Sequence, residues 1–127
     1  MNADTYLKIK GMSPQFLVAD INRSIEFYTK RLGFEVSFRY EDFYCGITKD
    51  GYSLHLKLAG TIIEERENRK NNGHLDITFS VEGIEGLYEY IKSKPVEVTQ
   101  PLRDMPYGRE FYISDPDGYI IALLQAN

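Results

Sequence analysis

The segment Tyr107–Gln125, YGREFYISDPDGYIIALLQ, predicts a strand, a tight turn and a second strand. Its first residues alternate in character, Asp115-Pro116-Asp117-Gly118 is a turn signal, and the residues after the turn are rich in β-branched and apolar types. A reduced copy lies upstream, because Asp50-Gly51-Tyr52 recurs as Asp117-Gly118-Tyr119 at an offset of 67 positions. The chain therefore contains an internal repeat, and the repeat predicts the fold.

Both halves of the chain follow one plan of strand, helix and three strands. The first half is predicted as a strand, a helix and three strands at Ser13–Val18, Ile21–Leu32, Phe34–Tyr40, Phe43–Thr48 and Tyr52–Leu58. The second half repeats this order at His74–Val81, Ile84–Ser93, Val96–Leu102, Arg109–Ser114 and Tyr119–Leu124. One helix covers only one face of its sheet, so neither half buries both sheet faces alone. The predicted fold class is α+β, with two tandem βαβββ modules forming a curved mixed sheet around a cleft and the helices outside.

The predicted domain organisation is a single domain spanning residues 1–127, a length that can bury a proper core. The two modules occupy residues 12–60 and 73–127. Residues 61–72 join them, and this segment is charged with little apolar surface to bury, so we interpret it as a linker.

Composition and charge exclude several classes of protein. The net charge of −4 leaves no basic footprint for nucleic acid. No apolar run approaches the roughly 18 residues of a membrane span. The N-terminus lacks the apolar core of a signal peptide, which favours a cytoplasmic location. The one cysteine, Cys45, precludes an internal disulfide; we interpret it as a small hydrophobic residue on or near the cleft.

Three stretches resemble the vicinal oxygen chelate superfamily, which includes glyoxalase I, extradiol dioxygenases, fosfomycin-resistance enzymes and bleomycin-resistance proteins. They are Phe16–Asp20, Ser24–Phe34 (SIEFYTKRLGF) and the segment GREFYISDPDGYIIAL. The helix end, the step Glu41-Asp42-Phe43 and Pro14 in the first strand are most similar to the bleomycin-resistance group. The resemblance implies a homodimer with two clefts built from both modules and an N-terminal strand exchanged between subunits.

The resemblance also implies where an enzyme of this superfamily would hold its metal. Those positions are Ser13, His55, Asp76 and Ala122, and the internal repeat relates them in pairs. Only His55 and Asp76 carry metal-binding groups, whereas a divalent catalytic centre usually needs three protein ligands. We therefore expect no catalysis and no cofactor. The alternative is a metal-dependent glyoxalase-like lyase or dioxygenase that uses His55, Asp76 and an unusual third ligand.

Seven side chains are the candidates for contacting a ligand. Four are aromatic and three are polar: Phe38, Phe43, Tyr107, Tyr112, His55, Asp76 and Glu110. Aromatic rings can stack on a flat ligand, but they also dominate cores and dimer interfaces. The carboxylates of Asp76 and Glu110 can meet a cationic ligand through charge-assisted hydrogen bonds. The alternative is that one of them pairs with a local arginine such as Arg39 or Arg109.

These residues lead to a functional hypothesis. We expect non-catalytic binding and sequestration of a bulky cationic antibiotic of the bleomycin type, which would confer antibiotic resistance. A metal-dependent enzyme and a binder of an unrelated small metabolite remain as alternatives, because fold does not fix function. In each case the partner is a small molecule.

Overall fold

The computed structural model of the protein describes residues 6–59 and 73–127. The predicted linker at 61–72 lies outside these residues. The first module consists of β1 Gln15–Val18, α1 Ile21–Glu26, a π-helical segment Phe27–Arg31, β2 Glu35–Tyr40, β3 Tyr44–Lys49 and β4 Tyr52–Leu58. The second consists of β5 Ile77–Ser80, α2 Ile84–Lys92, β6 Glu97–Met105, β7 Gly108–Ser114 and β8 Ile120–Ala126. The predicted repeat of βαβββ units is confirmed.

The strands form two four-stranded mixed sheets with the same topology, which confirms the predicted α+β class. Their orders are β1-β4-β3-β2 and β5-β8-β7-β6. In each sheet the first strand runs parallel to its neighbour and the remaining pairs are antiparallel. The register is also repeated, since Gly46 pairs with His55 in the first sheet and Tyr112 pairs with Ala122 in the second.

The first helix begins and ends as the sequence predicts. The Asp20 side chain accepts a hydrogen bond from the Arg23 N–H at 3.0 Å, and Gly33 follows the helix with a φ of +79°. Its second half, however, winds as a π-helix rather than an α-helix. Phe27 and Tyr28 are both buried there. Two adjacent buried aromatic residues need a wider buried surface than the apolar stripe of a surface α-helix provides.

The core lies between each helix and one face of its sheet. Val18, Ile47 and Leu56 from the first sheet are fully buried, as are Phe111 and Ile113 from the second. Cys45 is also fully buried among these residues, which corrects the expectation that it lies near the cleft. Burial raises the pKa of its thiol, as expected for an inert structural cysteine.

The two modules meet where β1 and α1 contact the turn between β7 and β8. The Tyr119 ring stacks on Phe16 with centroids 4.0 Å apart and planes inclined by 10°. The Tyr119 hydroxyl accepts from the Leu17 N–H at 2.8 Å and donates to the Leu17 carbonyl at 2.9 Å. The Tyr119 side chain therefore hydrogen-bonds to backbone groups on the outer edge of β1, where a further strand would otherwise pair. In the described ranges, no helix combines the length and apolar character needed to cross a bilayer.

Candidate ligand-binding site

Each sheet has one face that its helix does not cover, and we call it the open face of that module. The alternation along β4 identifies it, because Leu54 and Leu56 are buried in the core while His55 points the other way. In the second module Phe111 and Ile113 are in the core, so Glu110 and Tyr112 lie on the open face by the same argument.

The first open face is built around three side chains in one hydrogen-bonded row. The Gln15 amide Nε2 lies 3.0 Å from the Tyr44 hydroxyl and donates to it. The same hydroxyl lies 2.9 Å from Nδ1 of His55. The parallel pairing of β1 with β4 places Gln15 beside His55, and β3 carries Tyr44. The row therefore depends on the pairing of three strands, of which β1 lies far from the other two in sequence.

Phe38 completes this face, and Gly46 makes room for it. A Cβ atom at position 46 would come within 2.1 Å of the Phe38 ring, so the ring occupies the space of the missing side chain. It lies nearly parallel to the Tyr44 ring, with centroids 6.1 Å apart and planes inclined by 15°, and nearly perpendicular to the His55 ring at 5.3 Å. The result is an aromatic surface on which a flat ring can stack.

Phe43 lies further out, at the turn between β2 and β3. Its ring is 6.4 Å from that of Tyr40, and the two planes are inclined by 19°. Both rings are more than half exposed. Phe43 therefore extends the aromatic surface beyond Phe38 rather than contributing to the core.

The second open face carries an ionic cluster. The Arg103 guanidinium donates to Oε2 of Glu110 from Nε at 2.9 Å and from Nη2 at 2.6 Å. The Tyr112 hydroxyl donates to the same oxygen at 2.9 Å, and the Tyr107 hydroxyl donates to Oε1 at 2.6 Å. The Glu110 side chain is only 4% exposed. Two predicted candidates, Tyr107 and Tyr112, are thus bound to a third, Glu110.

The cluster holds Glu110 ionised. Burial raises the pKa of this carboxyl, but hydrogen bonds from Tyr107, Arg103 and Tyr112 outweigh burial and bring the pKa below its usual value. The hydrogen bond to Glu110 raises the pKa of Tyr107, and burial raises the pKa of Tyr112. The carboxylate is therefore already compensated by a cation of its own module.

In the structure Glu110 is paired with a local arginine, which was the alternative to its binding a ligand. The partner is Arg103, however, and not Arg39 or Arg109. Arg39 binds Asp42 at 2.6 Å, whereas Arg109 binds Asp104 at 2.8 Å and also contacts Glu85.

Asp76 is likewise engaged within the protein. Its Oδ2 accepts the Ile120 N–H at 2.8 Å, while Oδ1 lies 3.6 Å from Nε2 of His74. The Asp76 N–H also donates to the Ile120 carbonyl. The side chain thus fixes the beginning of the pairing between β5 and β8.

The four positions of the superfamily's metal site do not fit a catalytic metal in this chain. Ala122 offers no donor atom, and Ser13 lies before β1, which begins two residues later than predicted because Pro14 cannot donate to the sheet. Nδ1 of His55 and Oδ2 of Asp76 are already hydrogen-bonded. Within the described ranges, no group of three or more His, Cys, Asp or Glu side chains is arranged to hold a metal.

The sequence analysis missed Gln15, Tyr44 and Arg103. Arg103 was placed just beyond a strand that in fact continues to Met105. The charge pattern contained the missing signal: Arg103 and Asp104 lie opposite Glu110 and Arg109 across a hairpin, so that opposite charges face each other. Gln15 and Tyr44 had no comparable local signal, because their contact depends on strand pairing.

Comparisons with known proteins agree with this architecture. The model of the Glyoxalase/Bleomycin resistance protein/Dioxygenase superfamily matches residues 13–123. The "Bleomycin resistance protein" of Geobacillus stearothermophilus is 30% identical over 128 residues, covering 88% of this chain and 93% of that protein. The "Probable lactoylglutathione lyase" of Vibrio cholerae is 29% identical, covering 85% of this chain and 84% of that protein.

A solved structure shares the fold. The bleomycin-binding protein of Streptomyces verticillus, crystallised with copper(II)-bleomycin, superposes with a TM-score of 0.70 at 21% identity. The match covers 95% of this chain and 99% of that one.

Proposed function

Because the chain belongs to the Glyoxalase/Bleomycin resistance protein/Dioxygenase superfamily, we propose that it binds and sequesters a bulky, flat-ringed antibiotic without catalysis. The observation that supports this proposal is the set of side chains on the first open face. Here His55, at a position that superfamily enzymes use for metal, is hydrogen-bonded to Tyr44 and flanked by Phe38. The site thus offers ring faces for stacking in place of a set of metal ligands.

The first candidate ligand is an antibiotic of the bleomycin type. Support comes from the names of the relatives and from the ligand of the Streptomyces verticillus protein. Protection by such a protein is stoichiometric, so each bound drug molecule occupies one site and is released unchanged.

A homodimer with exchanged N-terminal arms forms part of the proposal. The segment before β1 carries four large apolar side chains that are each more than 60% exposed: Tyr6, Leu7, Ile9 and Met12. Several large exposed apolar side chains within one short segment are typical of a segment that contacts a partner. The occupant we propose for it is a second copy of the chain, and sedimentation velocity of the full chain tests for the dimer.

Titration with bleomycin tests the proposed function. The chain has ten tyrosines and no tryptophan, so quenching of tyrosine fluorescence reports on the aromatic face. We expect saturable binding with one drug molecule per chain, weakened about two- to tenfold in Phe38→Ala because a stacked aromatic pair is worth about 0.5–1.5 kcal/mol. Tyr52→Ala is the matched control, since this tyrosine is exposed at the beginning of β4 and lies on the opposite face of the strand from His55. Absence of saturable binding at micromolar drug rules out the bleomycin-type ligand.

The enzyme alternative is supported by the similarity to the Vibrio cholerae protein. It requires a divalent metal held by His55 and Asp76 with a third ligand. Elemental analysis of protein purified without chelators separates the two functions. One divalent metal per chain would favour the enzyme, whereas a content far below one favours the binding protein.

A further inference from the structure

The hydrogen-bonded row on the first open face has a direction. Nε2 of Gln15 can only donate, so the Tyr44 oxygen accepts there. The single proton of the Tyr44 hydroxyl is then available for Nδ1 of His55, 2.9 Å away. An imidazole that accepts at Nδ1 carries its own proton on Nε2. Because this arrangement also uses the Tyr44 proton, the row favours the Nε2–H tautomer of neutral His55.

This Nε2–H group has no hydrogen-bond acceptor among residues 6–59 and 73–127. The side chain is half-buried on the open face, beside the rings of Phe38 and Tyr44. A ligand that covers this face with an apolar ring would remove water from the donor, which is costly unless the ligand itself supplies an acceptor. The position thus favours a ring system with an oxygen acceptor.

The charges around the site act against a cation. Lys57 is the charged residue next to His55 on the same face of β4, and it pairs with Tyr44 in the sheet register. At the nearby turn, the Asp42 carboxylate is bound by Arg39. In the second module the Glu110 carboxylate is bound by Arg103. Within the ranges that the structure describes, the charged group nearest to His55 on its own strand is therefore the positive Lys57.

We infer that His55 donates its Nε2–H to the carbonyl oxygen of an uncharged, flat aromatic ring system resting on Phe38 and Tyr44. This inference rests on the proposed binding function and specifies which chemical part of a ligand the first open face accepts. A cationic part of the same ligand would have to lie away from Lys57. The sequence analysis expected carboxylates to select a cationic ligand, whereas this face selects a neutral acceptor.

Two probes with the same tricyclic skeleton test the ligand class. Acridone is uncharged and carries a ring carbonyl, whereas 9-aminoacridine is a cation near neutral pH. Fluorescence titration at pH 8, where an ordinary imidazole is neutral, should show acridone binding at least tenfold more tightly. A preference for 9-aminoacridine overturns this inference but leaves the binding function intact. If neither ring binds saturably, the inference fails, and the bleomycin titration decides separately whether the proposed function stands.

Matched variants assign the donor. His55→Phe keeps an aromatic ring and removes the Nε2–H, so acridone binding should weaken about five- to tenfold, the usual range for one hydrogen bond. Tyr52→Phe removes a hydroxyl at the exposed beginning of β4 and should leave acridone binding unchanged. Unchanged binding in His55→Phe would contradict the proposed hydrogen bond.

The tautomer can be measured without any ligand. The chain has two histidines, so ¹⁵N NMR of a His74→Gln variant observes His55 alone. We expect the proton on Nε2 at pH 8, and a mixture of tautomers in His74→Gln/Tyr44→Phe because the donor to Nδ1 is gone. A proton on Nδ1 in the first variant overturns the inference. This readout would not respond to a Tyr44 that merely packs against its neighbours.

Discussion

The two modules contain the same Asp-Gly-Tyr turn in opposite environments. Tyr52, in the first module, is 78% exposed, whereas Tyr119, its equivalent in the second, is 7% exposed. The second turn packs against β1 and α1, and the first turn remains on the surface. Repetition of sequence therefore gave both modules the same hairpin, but only one of the two hairpins joins the modules.

The residues around the second turn explain the difference. The sheet registers place Lys49 where the second module has Asp115, so the first module lacks this buried carboxylate. Asp115 accepts hydrogen bonds from the Tyr28 hydroxyl at 2.7 Å and from the Tyr119 N–H at 2.9 Å. Asp117 binds Arg23 of α1 at 3.1 Å. The contact between the two modules, which we call the joint, thus needs acidic groups at both positions and a helix that faces them.

The open faces have diverged in the same way. The sheet registers place Tyr44 and Glu110 at equivalent positions, and likewise Gly46 and Tyr112. The first face accordingly carries aromatic rings over a glycine, and the second carries an ionic cluster. The duplicated frame kept its geometry while the two faces acquired different chemistry.

The largest expected effect concerns the two equivalent tyrosines. Tyr119→Ala removes a ring stacked on Phe16 and both hydrogen bonds to Leu17, so the free energy of unfolding should fall by about 3–5 kcal/mol. Tyr52→Ala should change it by less than about 0.5 kcal/mol. Urea denaturation followed by circular dichroism measures both. Equal losses in the two variants would contradict the asymmetry of the joint.

The next effect is a pH dependence at the joint. Burial raises the pKa of Asp115 to about 6, although hydrogen bonds from Tyr28 and from two backbone N–H groups oppose the rise. In the unfolded chain this pKa is about 3.9. Between these values the folded state binds more protons, so the stabilising contribution is complete below pH 4 and is lost as pH rises through 6, by about 2–3 kcal/mol.

The variant Asp115→Asn isolates this contribution. The amide keeps an acceptor for the backbone N–H groups and can donate to the Tyr28 hydroxyl, but it does not titrate in this range. We expect the difference in unfolding free energy between variant and parent to move in favour of the variant as pH increases from 4 to 7. Thr48→Val in the first module is the control. A difference in unfolding free energy between the parent and Asp115→Asn that stays constant with pH would refute the prediction.

The smallest effect concerns the ionic cluster on the second open face. Arg103→Met leaves Glu110 without its cation, and we expect a loss of about 1–2 kcal/mol, limited because Arg103 is partly exposed. Arg39→Met, which breaks a more exposed pair in the first module, should cost less than about 0.5 kcal/mol. Chemical denaturation at pH 7 compares the two. A larger loss in Arg39→Met would contradict the expectation that the ion pair of Arg103 with Glu110 contributes more to stability than that of Arg39 with Asp42.

Much of the fold could be predicted from local patterns. The Asp20 cap, the Gly33 stop and the alternation along each strand depend on residues close in sequence, and the structure places them as expected. The position of Cys45 was wrong because a small hydrophobic residue near a strand end gives little indication of which face it occupies. The candidates Phe38, His55, Glu110 and Tyr112 lie on the open faces, but most of the side chains that contact them were not predicted.

The sequence by itself determined the duplicated βαβββ plan, because periodicity and turn chemistry act over a few residues, and it also indicated part of the open faces. Only the tertiary structure decided that Glu110 is neutralised by Arg103, that Tyr44 orients His55 and that Tyr119 rather than Tyr52 joins the modules. The physical reason is that each of these contacts crosses between strands or modules. Its existence therefore depends on register and packing, which no single stretch of sequence encodes.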